Sequence, residues 1–179
     1  MKIFTHVGDI CAAPADWVCS STNPHLQLML GTGGSLRDVG GWEIQDECNA
    51  IIARESSTSG HAYLECGNVA RTGSGKLSFR GIIHCVAIDA FHGSSLDTIR
   101  LCVCNALNAI SEVETQTDWT VAMPVFASGN GQFDFKASLE TMVRELKSWH
   151  KPAPSQVLIV VFDSYRVKLA EDIIRNLTD

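Results

Sequence analysis

The chain lacks the features that mark nucleic-acid-binding and membrane proteins. Its 14 Lys and Arg residues are scattered rather than clustered, and the net charge at pH 7 is −6. A nucleic-acid surface needs a basic face that neutralises phosphates, so we expect no such surface here. No apolar run approaches the roughly 18 residues of a membrane helix, and the N-terminus shows no signal-peptide pattern. We therefore expect no membrane segment and a cytoplasmic or nuclear location.

The seven cysteines also lack a metal-binding pattern, because no two of them form a Cys-x-x-Cys pair. Cys102 and Cys104 are two positions apart, which is a poor spacing for zinc ligands. Most of the seven lie in apolar runs, where a thiol behaves as a small hydrophobic group. This favours reduced cysteines in the core over metal or disulfide roles. Cys11 follows the first strand, and we expect it to be the exception, with a reactive thiol.

Alternating apolar segments and amphipathic periods predict an α/β fold. In the predicted helix 35–55 the pair Gly40-Gly41 marks a break or a close packing contact, and 56–60 reads as a polar loop. The predicted strands are 2–6, 16–22, 61–72, 80–87, 120–124 and 157–162, and the other predicted helices are 94–113, 136–150 and 165–177. Residues 1–179 are expected to form one domain, a three-layer α/β/α sandwich with a central, mostly parallel mixed sheet.

Four polar or glycine-rich segments each follow a predicted strand, namely Asp9-Ile10, Asn23–Gly34, Ser128–Phe133 and Phe162-Asp163. Ligands of α/β sheets bind at the carboxyl ends of the strands, so the topology should bring these segments to one rim. Glycines let the backbone approach a ligand closely, and the N–H groups at a helix start bind anions. The segment Gly31-Thr-Gly33-Gly34 precedes the predicted helix. It is therefore either a phosphate-binding loop or only a tight loop between a strand and a helix.

No residue pattern indicates a metal site or a catalytic triad. His84 lies within the apolar strand Ile82–Val86, which favours a hydrogen-bonded core histidine over a catalytic base. The other histidines share no spacing that is typical of metal ligands. We expect neither a metal nor a cofactor, and the sequence identifies no catalytic residue.

The order of the four strand-end segments resembles the macrodomain family, the ADP-ribose-binding module, over effectively the whole chain. The first loop, from Ser21-Thr-Asn23 to Leu36-Arg-Asp-Val-Gly-Gly41, is closest to the histone-variant-like macrodomains. The segment Val161-Phe-Asp-Ser164 has the same likeness. Those macrodomains are chiefly regarded as binders.

For the adenine end of ADP-ribose, the resemblance implies roles for three residues. Asp9 accepts a hydrogen bond from the adenine amino group, the Ile10 backbone contacts the ring, and Phe162 stacks on it. Asp9 could equally cap the short segment that follows it, and both roles can hold at once. Asp163 is expected to cap the last helix rather than to touch the ligand.

For the diphosphate and the distal ribose, the resemblance implies two facing glycine-rich loops. Gly31, Gly33 and Gly34 offer backbone N–H groups to the diphosphate, and Ser128-Gly129-Asn130-Gly131 closes over it from the other side. Asn23 contacts the sugar nearer the cleavable bond, unless its carboxamide only stabilises the local turn. Phe133 either packs near the terminal ribose or is an ordinary core residue.

Three functions are open on the sequence, and recognition of ADP-ribose, free or protein-linked, is the one we expect. The alternative is a hydrolase that removes ADP-ribose or acts on its ester and phosphate derivatives. The aspartate used by one hydrolase branch is replaced by Gly33, and Asp38 lies later, on the helix. A second branch uses a Lys in the first loop, but no Lys occurs between Ile3 and Gly75. The third reading is a divergent macrodomain that serves as an interaction module without ADP-ribose affinity.

Overall fold

The computed structural model describes residues 1–129 and 131–178. Within these ranges the strands are β1 (Lys2–Val7), β2 (Trp17–Thr22), β3 (Val69–Thr72), β4 (Gly81–Val86), β5 (Thr120–Pro124) and β6 (Gln156–Val161). The helices are α1 (Gly31–Gly40), α2 (Glu43–Ser59), α3 (Leu96–Ser111), α4 (Phe135–Ser148) and α5 (Ser164–Thr178). A short 3-10 turn, Ile10–Ala12, follows β1.

The described strands form one sheet in the order β1-β6-β5-β2-β4-β3. Neighbouring strands are parallel, except that β3 runs antiparallel to β4. This confirms the predicted mostly parallel mixed sheet. Every residue of β4 is buried, as expected for an apolar strand that is covered on both faces.

Helices cover both faces of the sheet and complete the three-layer sandwich. One core cluster packs Val157, Ile159 and Val161 of β6 with residues of α3, α4 and α5. The other cluster contains Leu158 and Val160 of the same strand, with residues of α1 and α2. Successive side chains of a strand point to opposite faces, so the continuous apolar run of β6 supplies both cores.

The helix predicted at 35–55 is in fact two helices, and the first begins earlier than predicted, at Gly31. The break lies at the predicted glycine pair, where Gly41 has a φ of +113° that favours glycine. The glycine-rich segment is the first turn of α1, since the Gly34 N–H donates to the Leu30 carbonyl at 3.2 Å. A Cβ on Gly34 would lie 3.0 Å from a backbone oxygen of the preceding chain, so this turn packs closely because it lacks side chains.

Helix α2 continues to Ser59, so the predicted loop at 56–60 is wrong. The hydroxyl groups of Ser57, Thr58 and Ser59 donate to carbonyls four residues earlier, at distances of 3.0, 3.1 and 2.9 Å. These side chains therefore find partners within the helix instead of ending it. The helix ends at Gly60, which has a φ of +79°.

Only Val69–Thr72 of the predicted strand 61–72 pairs with the sheet. The preceding residues are held by contacts outside any strand ladder. The Leu64 N–H donates to the Pro24 carbonyl at 2.9 Å, and the Gly67 N–H donates to the Val86 carbonyl at 2.9 Å. These long-range bonds satisfy the backbone without a strand, and no local pattern in the sequence indicates them.

His84 is a hydrogen-bonded core residue, as predicted. It is fully buried in β4, with Nδ1 2.9 Å from the Ser20 Oγ and Nε2 2.9 Å from the Thr72 Oγ1. Burial lowers the pKa of His84 from 6.5 to about 4, so the ring is neutral near pH 7.

All seven cysteines are free thiols, and four of them are buried, in agreement with the predicted core role. The surroundings of Cys11 do not activate its thiol. Burial, followed by the negative charge of Asp9, raises the pKa of the Cys11 thiol from 9.0 to about 12. A thiol that stays protonated is a poor nucleophile, which argues against the predicted reactivity of Cys11.

Candidate functional site

A cleft of about 280 Å³ lies at the carboxyl ends of the parallel strands. Its lining includes the last residues of β2, β5 and β6, which are Thr22, Pro124 and Val161, and Ile88 shortly after β4. The strands β4, β2, β5 and β6 are successive neighbours in the sheet, so the loops that follow them meet here. This is the edge at which α/β sheets bind ligands.

The first wall of the cleft is built by the end of β2 and the first turn of α1. It includes Ser21, Asn23, Gly31, Thr32 and Gly33. The Ser21 N–H donates to the Thr32 Oγ1 at 3.3 Å, which ties the start of the helix to the strand. The first N–H groups of a helix have no acceptor within it, and the helix dipole is positive at this end. The wall is therefore suited to an anion.

The second wall is the loop after β5, from which Ala127, Ser128, Gly129 and Gly131 line the cleft. Ala127 has a φ of +58°, and its N–H donates to the Ser21 hydroxyl at 3.2 Å. A Cβ on Gly131 would lie 2.6 Å from the Ala127 carbonyl oxygen, whereas one on Gly129 would meet open space. Ser21, which belongs to the first wall, is thus hydrogen-bonded to the second wall and joins the two.

Phe162 and the first turn of α5 form one end of the cleft. The Phe162 side chain is 83% exposed, although it directly follows the buried strand β6. The Asp163 Oδ1 accepts from the Tyr165 N–H at 2.9 Å, so Asp163 caps α5 as predicted. Arg166 donates from Nη1 to the Ser128 carbonyl at 3.3 Å, which joins α5 to the second wall.

The structure brings many of the sequence-predicted site residues to this cleft. The predicted residues that line it are Asn23, Gly31, Gly33, Ser128, Gly129, Gly131 and Phe162. Asn130 was also predicted, but it lies outside the described residues. The predicted residues that do not line the cleft are Asp9, Ile10, Gly34 and Phe133.

Each predicted residue outside the lining has another structural role. Asp9 caps the 3-10 turn, with Oδ1 accepting a backbone N–H at 2.9 Å, and Ile10 is buried in the core. The N–H of Gly34 is already bound within α1, so it is not available to a diphosphate. Phe133 packs against the core, and Phe135 lies in the cleft lining instead.

Asn23 has the turn role that was weighed against sugar contact. Its Oδ1 accepts from the N–H of His25 at 3.0 Å and from the N–H of Gln27 at 3.4 Å. Its Nδ2 donates to the Gln27 carbonyl at 3.0 Å. Both ends of the carboxamide are therefore engaged within the loop, and contact with a sugar stays a prediction.

Sequence reasoning missed several lining residues, namely Ser21, Thr22, His92, Phe135 and Arg166. Thr22 is 4% exposed, and its Oγ1 has no hydrogen-bond partner in the described part of the chain. A buried hydroxyl without a partner is costly, and this one has almost no surface that a ligand in the cleft could contact. The sequence offered two signals that could have identified some of them. Ser21 and Thr22 directly precede Asn23, and His92 follows a predicted strand.

The cleft contains few charged side chains. Among its described lining residues, Asp163 is the only carboxylate and Arg166 is the only Lys or Arg. Within residues 1–129 and 131–178, no group of three or more His, Cys, Asp or Glu residues is arranged to hold a metal ion. None of the helices in these ranges has both the length and the apolar character needed to cross a membrane.

Comparison with known proteins agrees with this geometry. Mouse protein mono-ADP-ribosyltransferase PARP9 is 30% identical over 128 residues, which are 70% of this chain and 14% of PARP9. Histone macroH2A1.1 of Capsaspora owczarzaki is 23% identical over 171 residues, which cover 90% of this chain and 43% of the histone. A mutant macrodomain of Oceanobacillus iheyensis, solved with ADPR, has a TM-score of 0.81 and 18% identity, and the match covers 98% of this chain and 92% of that one.

The chain therefore spans only a small part of the length of PARP9. The family model of the Macro domain matches residues 19–142, which is more than half of the chain. The sheet order, the cleft at the strand ends and this match lead to one conclusion: the chain belongs to the macrodomain family.

Proposed function

We propose that this macrodomain binds ADP-ribose in the cleft. The observation that carries the proposal is that the first turn of α1, the glycine-containing loop after β5 and the exposed ring of Phe162 line one cleft. Backbone N–H groups suit a diphosphate, and an exposed aromatic face suits a purine. The Oceanobacillus iheyensis macrodomain of the same fold was solved with ADPR, which supports the same ligand here.

In the proposed arrangement, the adenine stacks on Phe162 and the diphosphate lies between the two walls. The distal ribose lies toward Asn23, at the end of β2. Asp9, which caps the turn after β1 through Oδ1 and lies outside the cleft lining, is proposed to accept a hydrogen bond from the adenine amino group.

We propose recognition rather than rapid hydrolysis. Asp163, the only carboxylate among the described lining residues, uses its Oδ1 to cap α5. Asp38, the acid considered from the sequence, is outside the lining and pairs with Arg37 at 2.6 Å. The partner is thus ADP-ribose, either free or linked to a protein. The seven free thiols support a reducing compartment, the cytoplasm or the nucleus.

Calorimetric titration with ADP-ribose tests the proposal, with AMP and NAD as comparison ligands. We expect a Kd in or below the micromolar range, about −8 kcal/mol. Phe162→Ala should weaken binding by about 1–3 kcal/mol, because it removes the stacking ring. Tyr165→Ala is the matched control, since Tyr165 is 85% exposed nearby but does not line the cleft.

Two outcomes contradict these expectations in different ways. Absence of heat and of a thermal shift at millimolar ADP-ribose would overturn the proposed function. Equal losses of affinity in the Phe162 and Tyr165 variants would overturn only the assignment of Phe162 to the adenine.

A further inference from the structure

Arg166 is held in a fixed position at the second wall of the cleft. Its Nη1 donates to the Ser128 carbonyl at 3.3 Å, and its guanidinium carbon lies 5.0 Å from the centroid of the Phe135 ring. An arginine side chain has five N–H donors, and the Ser128 carbonyl takes one of them. The guanidinium group is therefore in place before a ligand binds, and most of its N–H donors have no hydrogen-bond partner in the described part of the chain.

The charge of Arg166 has no counter-ion in the described part of the chain. Five other arginines lie within 4.0 Å of a carboxylate: Arg37, Arg80, Arg100, Arg144 and Arg175. Arg166 lacks such a partner in the described part of the chain, as do Arg54 and Arg71, although the chain carries a net charge of −6. A cation in a cleft attracts anions to it, and Arg166 shares the cleft lining with one carboxylate, that of Asp163, whose Oδ1 caps α5. The cleft is thus prepared for an anionic group beside Arg166.

The position of Arg166 indicates which part of a nucleotide it contacts. It lies in the first turn of α5, four residues after Phe162, and reaches Ser128 in the second wall. The positive end of the α1 dipole also lies at the cleft, so an anion bound there is attracted both by the helix N-terminus and by Arg166. Guanidinium groups bind phosphate oxygens with two parallel hydrogen bonds.

We propose that Arg166 binds the diphosphate of the ligand and makes the cleft selective for nucleoside diphosphates over uncharged nucleosides. This inference rests on the proposed ADP-ribose function. It identifies the side chain whose charge makes a negatively charged ligand bind more tightly than a neutral one. Backbone N–H groups alone would bind the diphosphate as neutral donors, whereas Arg166 adds a full charge.

The test is a titration of the full chain and of Arg166→Gln with ADP-ribose, ADP and adenosine. The variant should lose about 10- to 100-fold in affinity for ADP-ribose and ADP, as expected for a hydrogen bond to a charged group. Its affinity for adenosine should change less than about twofold, because no charge is involved. Wild-type binding of ADP should also weaken more steeply with added salt than binding by the variant.

Lys168→Gln is the matched control, because Lys168 is an exposed cation of the same helix outside the cleft lining. It should leave all three affinities within about twofold of the wild type, since exposed charges are screened. Thermal unfolding without ligand verifies that Arg166→Gln is folded. If that variant does not fold, Arg166→Lys replaces it and should retain the preference for ADP over adenosine, because it keeps the charge.

Failure of the proposed function and failure of the inference about Arg166 give different results. If the wild type binds neither ADP-ribose nor ADP, the proposed function and this inference are both overturned. If the wild type binds ADP-ribose and Arg166→Gln binds it equally well, or loses adenosine as strongly as ADP, the inference about Arg166 alone is overturned. Loss of the ADP preference in Arg166→Lys overturns it in the same way.

Discussion

Acidification from pH 7 to pH 5 should destabilise the protein through His84. The buried ring has a pKa lowered from 6.5 to about 4 by desolvation, and unfolding returns it to water. The unfolded chain therefore takes up the proton first as the pH falls. The stability associated with the neutral ring is complete above about pH 6.5 and is lost as the pH falls toward 4. The full loss is about 3 kcal/mol, of which about 2 kcal/mol has occurred at pH 5.

Urea unfolding at pH 7 and pH 5 measures this loss, with His84→Gln as the non-titrating variant. Between the two pH values the wild type should lose about 2 kcal/mol more than His84→Gln. His61→Gln, at an exposed position, should behave like the wild type. Equal losses in the wild type and in His84→Gln would refute the reasoning. If His84→Gln does not fold, an NMR titration of the wild-type ring decides, and a His84 pKa near 6.5 would refute it.

Two further substitutions test the packing behind the cleft and the opposite end of the sheet. Gly131→Ala should destabilise the protein by about 1–3 kcal/mol in urea unfolding, because its Cβ would lie 2.6 Å from the Ala127 carbonyl oxygen. Gly129→Ala is its control and should be tolerated; equal effects would contradict the geometry. Arg80→Ala should cost about 1–2 kcal/mol, since it removes the guanidinium that pairs with Glu114 at 2.6 Å and with Asp16 at 2.8 Å. A neutral Arg80→Ala would show that these ion pairs do not stabilise the fold.

The central strands of the sheet were predictable from the sequence because they are mostly apolar runs of limited length. The predicted strand 120–124 coincides with β5, in which every residue after Thr120 is buried. The start of α1 was not predictable in the same way, because glycine is a poor helix former by itself. Close packing of Gly33 and Gly34 on the preceding chain overrides that preference.

The cleft was predictable to the extent that topology determines it. Segments after parallel strands meet at one edge, so Asn23, Ser128 and Phe162 could be grouped without knowledge of any contact. Arg166 could not be found in this way, because its contact with the Ser128 carbonyl joins residues 38 positions apart. The orphan state of Thr22 likewise depends on tertiary packing.

A crystal structure of the chain grown with ADP-ribose tests the central claim most directly. The proposed function predicts one ligand in the cleft, with its adenine stacked on Phe162 and its diphosphate between the first and second walls. Arg166 should lie within hydrogen-bond distance of a phosphate oxygen. An empty cleft at saturating ADP-ribose, or a ligand bound elsewhere on the protein, would contradict it.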